Sequence, residues 1–355
     1  MNKLHYIIPI FVPHEGCPHT CVFCNQDSIT GSCFKINGEF VENTIKEYLQ
    51  TIDRESSVVE VSFFGGTFTA IDINKQNELL SVAKNYKDCN KIDYIRLSTR
   101  PDYIDDKILT NLKEHSADII ELGVQSLDDE VLMKSGRGHS SDDVEKASKL
   151  IKEYGFTLGH QIMLGLPGDN RGKDILTAQK SIAMKPDICR IYPSLVIKDT
   201  PMETLLERRE YKPYDLEEAV EISKTIYGMY VGSGIKVIRI GLQPTEEINY
   251  GKEIVEGPFH PAFRELVESS IYKELIVEYF KSHSDIKSIS INPKDISKLY
   301  ANKKKYFNEA LKILGLKKLK INQDISVERG ELRFNSEEDT EKITLEDYLR
   351  RKFTI

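Results

Sequence analysis

What most restricts the folds open to this chain is a rhythm. Over the first 245 of its 355 residues, apolar strand-like runs alternate with longer amphipathic stretches. His5–Val12, Val58–Phe64, Tyr94–Thr99, Ile119–Val124, Thr157–Leu164, Ile188–Leu195 and Lys236–Leu242 are rich in Ile, Val, Tyr and Phe. Most end in Gly, Pro, Ser or Thr, as strands do. Between them, Val41–Ile52, Asn74–Tyr86, Asp105–Leu112, Asp142–Tyr154, Asp174–Ala183 and Leu216–Gly232 space their apolar residues at three and four, the helical period. Polar starts such as Ser140-Ser141-Asp142-Asp143 mark helix N-termini. The alternation predicts an α/β fold: a parallel sheet with helices on one side, a partial (β/α)6 TIM-like barrel over residues 1–250. In such a barrel functional side chains sit where strands end and loops begin.

After residue 250 the rhythm breaks at Gly257-Pro258-Phe259-His260-Pro261. A helix over Ala262–Lys281, a strand at Ser288–Ile291, a helix over Asp295–Leu314 and strands at Lys318–Ile321 and Glu331–Phe334 predict a small C-terminal α+β domain, residues 251–355. From Ser336 onward the chain is charge-dense and reads as a surface helix or frayed tail.

Six cysteines stand at 17, 21, 24, 33, 89 and 189, three of them within eight residues. A disulfide framework belongs to small secreted domains with spread cysteines, so this clustering points to metal or redox chemistry. No apolar run reaches membrane-spanning length, and the run after Lys3 is too short for a signal peptide, so a cytoplasmic location and no membrane partner are expected. Gly16-Cys17-Pro18-His19-Thr20-Cys21-Val22-Phe23-Cys24-Asn25 follows the first strand. Three thiolates at this spacing reach three irons of one cubane, whereas clusters that only pass electrons are usually closed by four cysteines. The open corner resembles the free coordination position of a catalytic zinc. Cys17, Cys21 and Cys24 are therefore the expected metal ligands. The competing reading is a zinc-bearing RNA-binding module with His14 or His19 as fourth ligand, although no second C-x-x-C-like half is present. Cys33, Cys89 and Cys189 read as small buried apolar residues.

Other strand ends carry unusual residues. In Phe64-Gly65-Gly66-Thr67-Phe68 two glycines let backbone approach a ligand closely. Ser98-Thr99-Arg100-Pro101, Glu121-Leu122-Gly123-Val124-Gln125-Ser126, Ser135-Gly136-Arg137-Gly138-His139 and the run from Gly159 to Gly168 follow. Polar groups inside apolar strands are costly unless paired or facing a ligand, and Glu121, Gln125, His160 and Gln161 break the pattern in this way. Plainer readings exist: an interior ion pair of Glu121 with Arg96 or Arg190, and a satisfied core histidine at 160.

The cysteine loop, with Phe23 before its third thiol, resembles the signature of the radical S-adenosylmethionine (SAM) superfamily. The resemblance implies a [4Fe–4S] cluster whose open iron is chelated by the amino and carboxylate groups of SAM. It further implies reductive cleavage of SAM to methionine and a 5′-deoxyadenosyl radical that abstracts hydrogen from a substrate, fed by a reductant such as flavodoxin or ferredoxin. By the same resemblance Gly65, Gly66 and Thr67 belong to the motif for the SAM amino group, and Arg137 suits its carboxylate. Gln125 and Gln161 face adenosine or substrate, Phe23, Ser98 and Glu121 complete the cofactor site, and Tyr192 joins Gln125 and Gln161 as catalytic candidates.

The stretches FFGGTFTAI, STRPD, ELGVQSLDDEVL, SGRGH and IMLGLPGD, continued by RIYPSLVIKDTPMETLLERREYKPYDLEEAVE, narrow the likeness. Over about residues 5–245 they resemble the radical SAM domain of the Elongator catalytic subunit family, whose members act on the wobble uridine of tRNA with acetyl-CoA. No glycine-rich acetyltransferase loop follows here, Gly315 and Gly330 being lone turn glycines, so an Elongator-like radical domain with a different substrate is expected. Lys281–Lys320 holds eleven lysines against three acids, +8 in a chain of net charge −7, which keeps tRNA as a candidate partner. Tyr300, Tyr306 and Phe307 lie among these lysines as stacking candidates or as apolar anchors. A coproporphyrinogen-oxidase-like enzyme acting on a small metabolite is the alternative. A methylthiotransferase would need a second group of three cysteines, and 33, 89 and 189 fall on different elements.

Overall fold

The computed structural model describes residues 3–12, 17, 19–25, 36–244, 249, 251–283, 285–337 and 339–353. His14 and Cys33 lie outside them. Strands β1 (Leu4–Val12), β2 (Ser57–Gly65), β3 (Tyr94–Thr99), β4 (Ile119–Gln125), β5 (Thr157–Leu164) and β6 (Ile188–Pro193) appear in the expected order. A two-residue β7 (Val196–Ile197) stands apart, and β8 (Lys236–Ile240) completes a seven-stranded sheet of order β1-β2-β3-β4-β5-β6-β8. Each of β1 to β4 pairs in parallel with the next. β1 and β8 are its two edges, so the α/β barrel is partial, with one strand more than six. β9 (Ile254–Glu256) pairs antiparallel with β7.

Between the strands lie α1 (Gly38–Leu49), α2 (Ile73–Asp88), α3 (Asp106–Glu114), α4 (Asp129–Lys134), α5 (Ser141–Glu153), α6 (Arg171–Ala183), α7 (Pro201–Glu207) and α8 (Leu216–Gly232). Side-chain caps fix their starts. Ser140 and Asp143 form a reciprocal capping box on α5, and Asp215 and Glu218 form another on α8. In β2, Val59, Val61 and Phe63 are buried on one face while Glu60 and Ser62 are buried on the other, as a strand covered on both sides requires. Gly159 on β5 has no room for a side chain: a Cβ would stand 2.7 Å from Glu121 Cγ and 3.0 Å from Ile188 Cγ1.

The chain divides into two compact units, one of residues 1–190, 194–213 and 244–256, the other of 191–193, 214–243 and 257–355. The second therefore takes in α8, ahead of the expected boundary at 250. It is built on the long α9 (Phe263–Ser282), with a sheet of β10 (Ser288–Ile291), β11 (Lys320–Gln323), β12 (Glu331–Asn335) and β13 (Thr340–Thr344) ordered β11-β10-β12-β13. The helix expected over Asp295–Leu314 is two pieces, α10 (Ile296–Leu299) and α11 (Ala301–Ile313), with Asn302, Lys303 and Lys304 in left-handed conformation. The tail is not frayed. It forms β13 and α12 (Leu345–Phe353), which buries Leu345, Tyr348 and Leu349. The Phe353 ring fills the space a side chain at Gly228 of α8 would take, with Cε2 2.3 Å from the Cβ position. Cys189 is buried as expected, but Cys89, just past α2, is exposed because its helix ends at the surface. Among the described residues no helix is long and apolar enough to cross a membrane.

Candidate functional site

The cysteine loop follows β1, and its described part is held from three directions. The Cys24 amide donates to Cys21 O at 3.0 Å, closing a tight turn over Cys21–Cys24. Val22 and Phe23 pack on an apolar cluster of Val196, Met202 and Tyr211, while Met202 N donates to Val22 O at 2.9 Å. Asn25 Nδ2 donates to Lys198 O at 3.0 Å. Phe23 is thus half-buried as an anchor of the loop. Cys21 is buried, and Cys17 and Cys24 are partly exposed.

The Gly-Gly turn meets this loop directly. Thr67, 1% exposed, places Oγ1 3.3 Å from Cys17 Sγ. Gly65 has φ +110, and a Cβ there would stand 2.6 Å from Val12 O, so only glycine lets the ends of β1 and β2 close together. The Gly66 amide then donates to Val12 O at 2.8 Å.

Beneath the loop runs Ser135–His139. Ser135 O accepts from Val22 N at 3.1 Å, Thr20 O lies 3.1 Å from where a Gly136 Cβ would be, and the His19 ring occupies the Cβ space of Gly138. Both glycines have positive φ, +64 and +73, which turns Arg137 inward between them. Its Nη1 donates to Cys21 Sγ at 3.2 Å and its Nη2 to Gly123 O at 2.7 Å, while Nε is buried without a hydrogen-bond partner among the described residues. Burial pulls the Arg137 guanidinium below its usual value, against the pull of Cys21. Arg100, itself buried, donates to the Arg137 carbonyl and grips Asp102 with two bonds of 3.0 and 2.9 Å. His139 keeps Nε2 3.3 Å from Val124 O, and burial, then Arg137 and Arg100, push it down to about 4.

Inside the sheet lies a floor of alternating charge. Glu60, Arg96, Glu121 and Arg190 are each at most 7% exposed. Arg96 Nη2 donates to Glu60 at 2.8 Å and Nη1 to Glu121, and Arg190 holds Glu121 through bonds of 2.5 and 2.9 Å. Gln161 Nε2 adds Glu121 Oε2 at 2.9 Å and Ser98 Oγ at 3.1 Å, joining three strands. Burial alone would push Glu121 up; Arg190 first, then Arg96, hold it below its usual value. Glu121 is therefore the centre of an ion-pair network, with its oxygens already engaged. His160 is a satisfied core residue: its ring nitrogens lie 2.9 Å from Ser148 Oγ and 2.8 Å from Ser181 Oγ, and burial takes it down to about 3.

Gln125 ends β4 in a different state. It is half-buried with φ +63, the register slips between Gly123 and Gln125, and Ser126 N closes a tight turn to Val124 O at 2.8 Å. A non-glycine residue held there stores backbone strain of the kind that gathers at ligand sites. Tyr192 sits half-buried on β6. The structure thus joins Cys17 to Thr67 and Cys21 to Arg137 by direct contact, and Ser98, Glu121 and Gln161 by a separate set. Arg100 and Asp102 escaped sequence reasoning, although an arginine at a strand end before proline was the available signal.

In the second unit Tyr306 and Phe307 are 6% exposed, so they anchor α11 and offer no stacking platform. Tyr300 meets Phe307 edge-on at 5.1 Å and carries Lys304 Nζ 4.1 Å from its ring centroid. Lys287, Lys298 and Lys305 are ion-paired. Lys281, Lys294, Lys303, Lys304, Lys312, Lys317, Lys318 and Lys320 are exposed, with no ion-pair partner among the described residues.

The donor set suits a sulfur-bridged cluster. All three candidate ligands are thiols, the soft donors that iron–sulfur clusters and zinc select. Among the described residues no three His, Cys, Asp or Glu groups close around a point as single-ion ligands do. Thiolates of a cubane bind different irons and stand farther apart than ligands of one ion. The Nε of Arg137 is orphaned among the described residues, and the bare Gly123 beside it is crowded by Gln125 Nε2 and Arg137 Nη2.

Comparison with known proteins agrees with this geometry. Residues 11–178 match the model of the Radical SAM superfamily, and residues 186–273 match the Radical_SAM C-terminal domain. A tRNA uridine(34) acetyltransferase of Methanocaldococcus jannaschii is 28% identical over 255 residues, covering 61% of this chain and 47% of that protein. Human Elongator complex protein 3 is 28% identical over 203 residues, covering 52% of this chain and 37% of that protein. The chain thus spans about half the length, or less, of these curated relatives. Among solved structures, the archaeal Methanocaldococcus infernus Elp3 with an N-terminal deletion shares the fold at TM-score 0.61 and 21% identity, over 80% of this chain and 68% of that one.

Proposed function

We propose, from the premise that this chain belongs to the radical SAM superfamily, that Cys17, Cys21 and Cys24 hold the family's [4Fe–4S] cluster and that SAM binds above it. When bound, the two cofactors supply a 5′-deoxyadenosyl radical from one electron and one SAM. The chain's own residues do the rest. Thr67 steadies the Cys17 thiol, and Gly65 and Gly66 keep side chains away from the amino group of SAM. Arg137 lies within reach of an anionic ligand at the same loop. Gln125, Gln161 and Ser98 present amide and hydroxyl groups toward adenosine or substrate, with Tyr192 on the neighbouring strand. Glu121 acts through Gln161, which it orients. The apolar seat under Phe23 excludes water from one side of the loop.

The observation that carries this reading is the joint contact of two candidate ligands by residues from two other motifs, Cys17 by Thr67 and Cys21 by Arg137. It is tested by changing Cys17, Cys21 or Cys24 to Ala. Each variant should lose cluster iron and drop 5′-deoxyadenosine formation with dithionite at least 100-fold, with an unchanged circular dichroism spectrum. A variant that still cleaves SAM removes that cysteine from the ligand set. Zinc in the loop of anaerobically purified protein, with no iron or sulfide, would favour the RNA-binding alternative.

For substrate we favour tRNA. Support comes from the relatives named as tRNA uridine(34) acetyltransferases and from the eight lysines without acidic partners among the described residues, which suit phosphates. A tRNA nucleoside missing by mass spectrometry from cells lacking this protein is the expected result. An unchanged nucleoside profile would redirect the search to a small metabolite.

A further inference from the structure

We propose that Arg137 is a charge-setting residue of the cysteine loop, whose guanidinium raises the reduction potential of the cluster through its bond to Cys21 Sγ. This rests on the reading of Cys17, Cys21 and Cys24 as cluster ligands and departs from a role confined to the SAM carboxylate.

The argument starts from the cost of a buried cation. Arg137 is 6% exposed, as deeply placed as Arg96, Arg100 and Arg190. Each of those three is neutralised by a carboxylate: Arg96 by Glu60 and Glu121, Arg100 by Asp102, and Arg190 by Glu121. Arg137 has no carboxylate in ion-pair contact among the described residues, Asp102 acting on it only from a distance, and its Nε has no hydrogen-bond partner among them. A buried charge left this way is strongly destabilising unless an anion completes the site. The group it does face is a thiol, 3.2 Å from Nη1. Three thiolates and an added electron are the negative charge this cation lacks.

The seat is built and rigid. Gly123 lacks the Cβ that would stand 3.3 Å from Nη2, so the guanidinium settles onto the Gly123 carbonyl. Gly136 and Gly138, at positive φ, fix the backbone on either side, and Arg100 pins the carbonyl between them. Nothing has to reorganise when an electron arrives. A fixed positive charge in a dry site favours the more reduced, more negative cluster, and hydrogen bonds to ligand sulfurs act in the same direction.

The test uses the full chain, reconstituted anaerobically, with the potential read by electron paramagnetic resonance during a dithionite titration without SAM. Arg137→Gln should lower the ratio of reduced to oxidised cluster at fixed potential about tenfold, equivalent to about 59 mV for a one-electron couple. Arg137→Lys, which keeps charge but not the planar fork, should recover part of the loss. An unmoved potential in a fully loaded Arg137→Gln protein, with weakened SAM binding by equilibrium dialysis, overturns the proposal and returns the residue to the carboxylate. Should Arg137→Gln fail to fold, Gly123→Ala sets a Cβ 3.1 Å from Gln125 Nε2 and 3.3 Å from Arg137 Nη2, crowding the guanidinium while keeping its charge. A smaller shift in the same direction is then expected, and no shift again overturns the proposal. A wild-type chain that takes up no cluster refutes the cysteine reading itself, whereas a loaded chain with an unmoved potential refutes only the role of Arg137.

Discussion

Two polar regions share the first unit, and they differ in how their valences are filled. On the sheet floor, Glu60, Arg96, Glu121 and Arg190 alternate in sign, and each has an opposite charge within 3 Å. At the cysteine loop, Arg137 Nε, Ser135 Oγ and His139 Nδ1 are all buried without hydrogen-bond partners among the described residues. Native interiors rarely tolerate that many orphans together. The floor is matched in charge, its one orphaned donor, Arg96 Nε, lying 2.7 Å from Glu60 Oε1, while the orphans of the loop face no carboxylate in contact among the described residues. Polarity in a strand therefore separates structural from ligand-facing residues only once partners are known.

Breaking the floor should give the largest stability effect. Glu121→Ala takes away the carboxylate that holds Arg190 and one of the two that hold Arg96, and a loss of about 3–5 kcal/mol is expected, read by urea unfolding. If stability instead falls by less than about 1 kcal/mol, the network is not the closed unit described. A pH series sharpens the contrast next. His160 falls to about 3 in the folded chain, so above about 6.5, its ordinary value, it is neutral in both states and its burial exacts no proton penalty. As pH drops from there toward 3, the unfolded chain binds a proton that the folded chain refuses. Stability should then decline by about 1.4 kcal/mol per pH unit on account of this one group. His160→Gln should remove that one proton from the uptake measured on unfolding at pH 5; an unchanged uptake would show that the ring titrates normally. The smallest effect belongs to Gln125. Gln125→Gly relieves a left-handed backbone and should leave stability unchanged or raised by up to about 1 kcal/mol while weakening SAM binding. A clear loss of stability with full SAM affinity would assign Gln125 to the floor instead of the loop.

Much of this arrangement is legible in the chain alone because it is local. Strands such as Val58–Phe64 announce themselves by β-branched and aromatic runs, and the starts of α5 and α8 by capping residues. The three thiols are legible because they crowd one loop. What escapes is non-local. Arg137 and Cys21 are 116 residues apart, and only the structure brings them into contact. Glu121 looked equally suited to a ligand or to an ion pair until Arg96 and Arg190 were both found on it. The break at Asn302–Lys304 carries neither glycine nor proline, so no local signal marks it. In the charged C-terminal stretch, read as a surface helix or frayed tail, the helix is there, but the strand Thr340–Thr344 before it carries no apolar run to announce it.

Gly159 has a consequence of its own. Its missing side chain is the notch into which the Glu121 carboxylate stem folds on its way to two arginines. Strand five and the charge at 121 are in this sense one joint written in two places. Any side chain grafted at 159 must either evict the carboxylate or bend the strand, so this position polices the floor without carrying a single polar atom beyond its backbone.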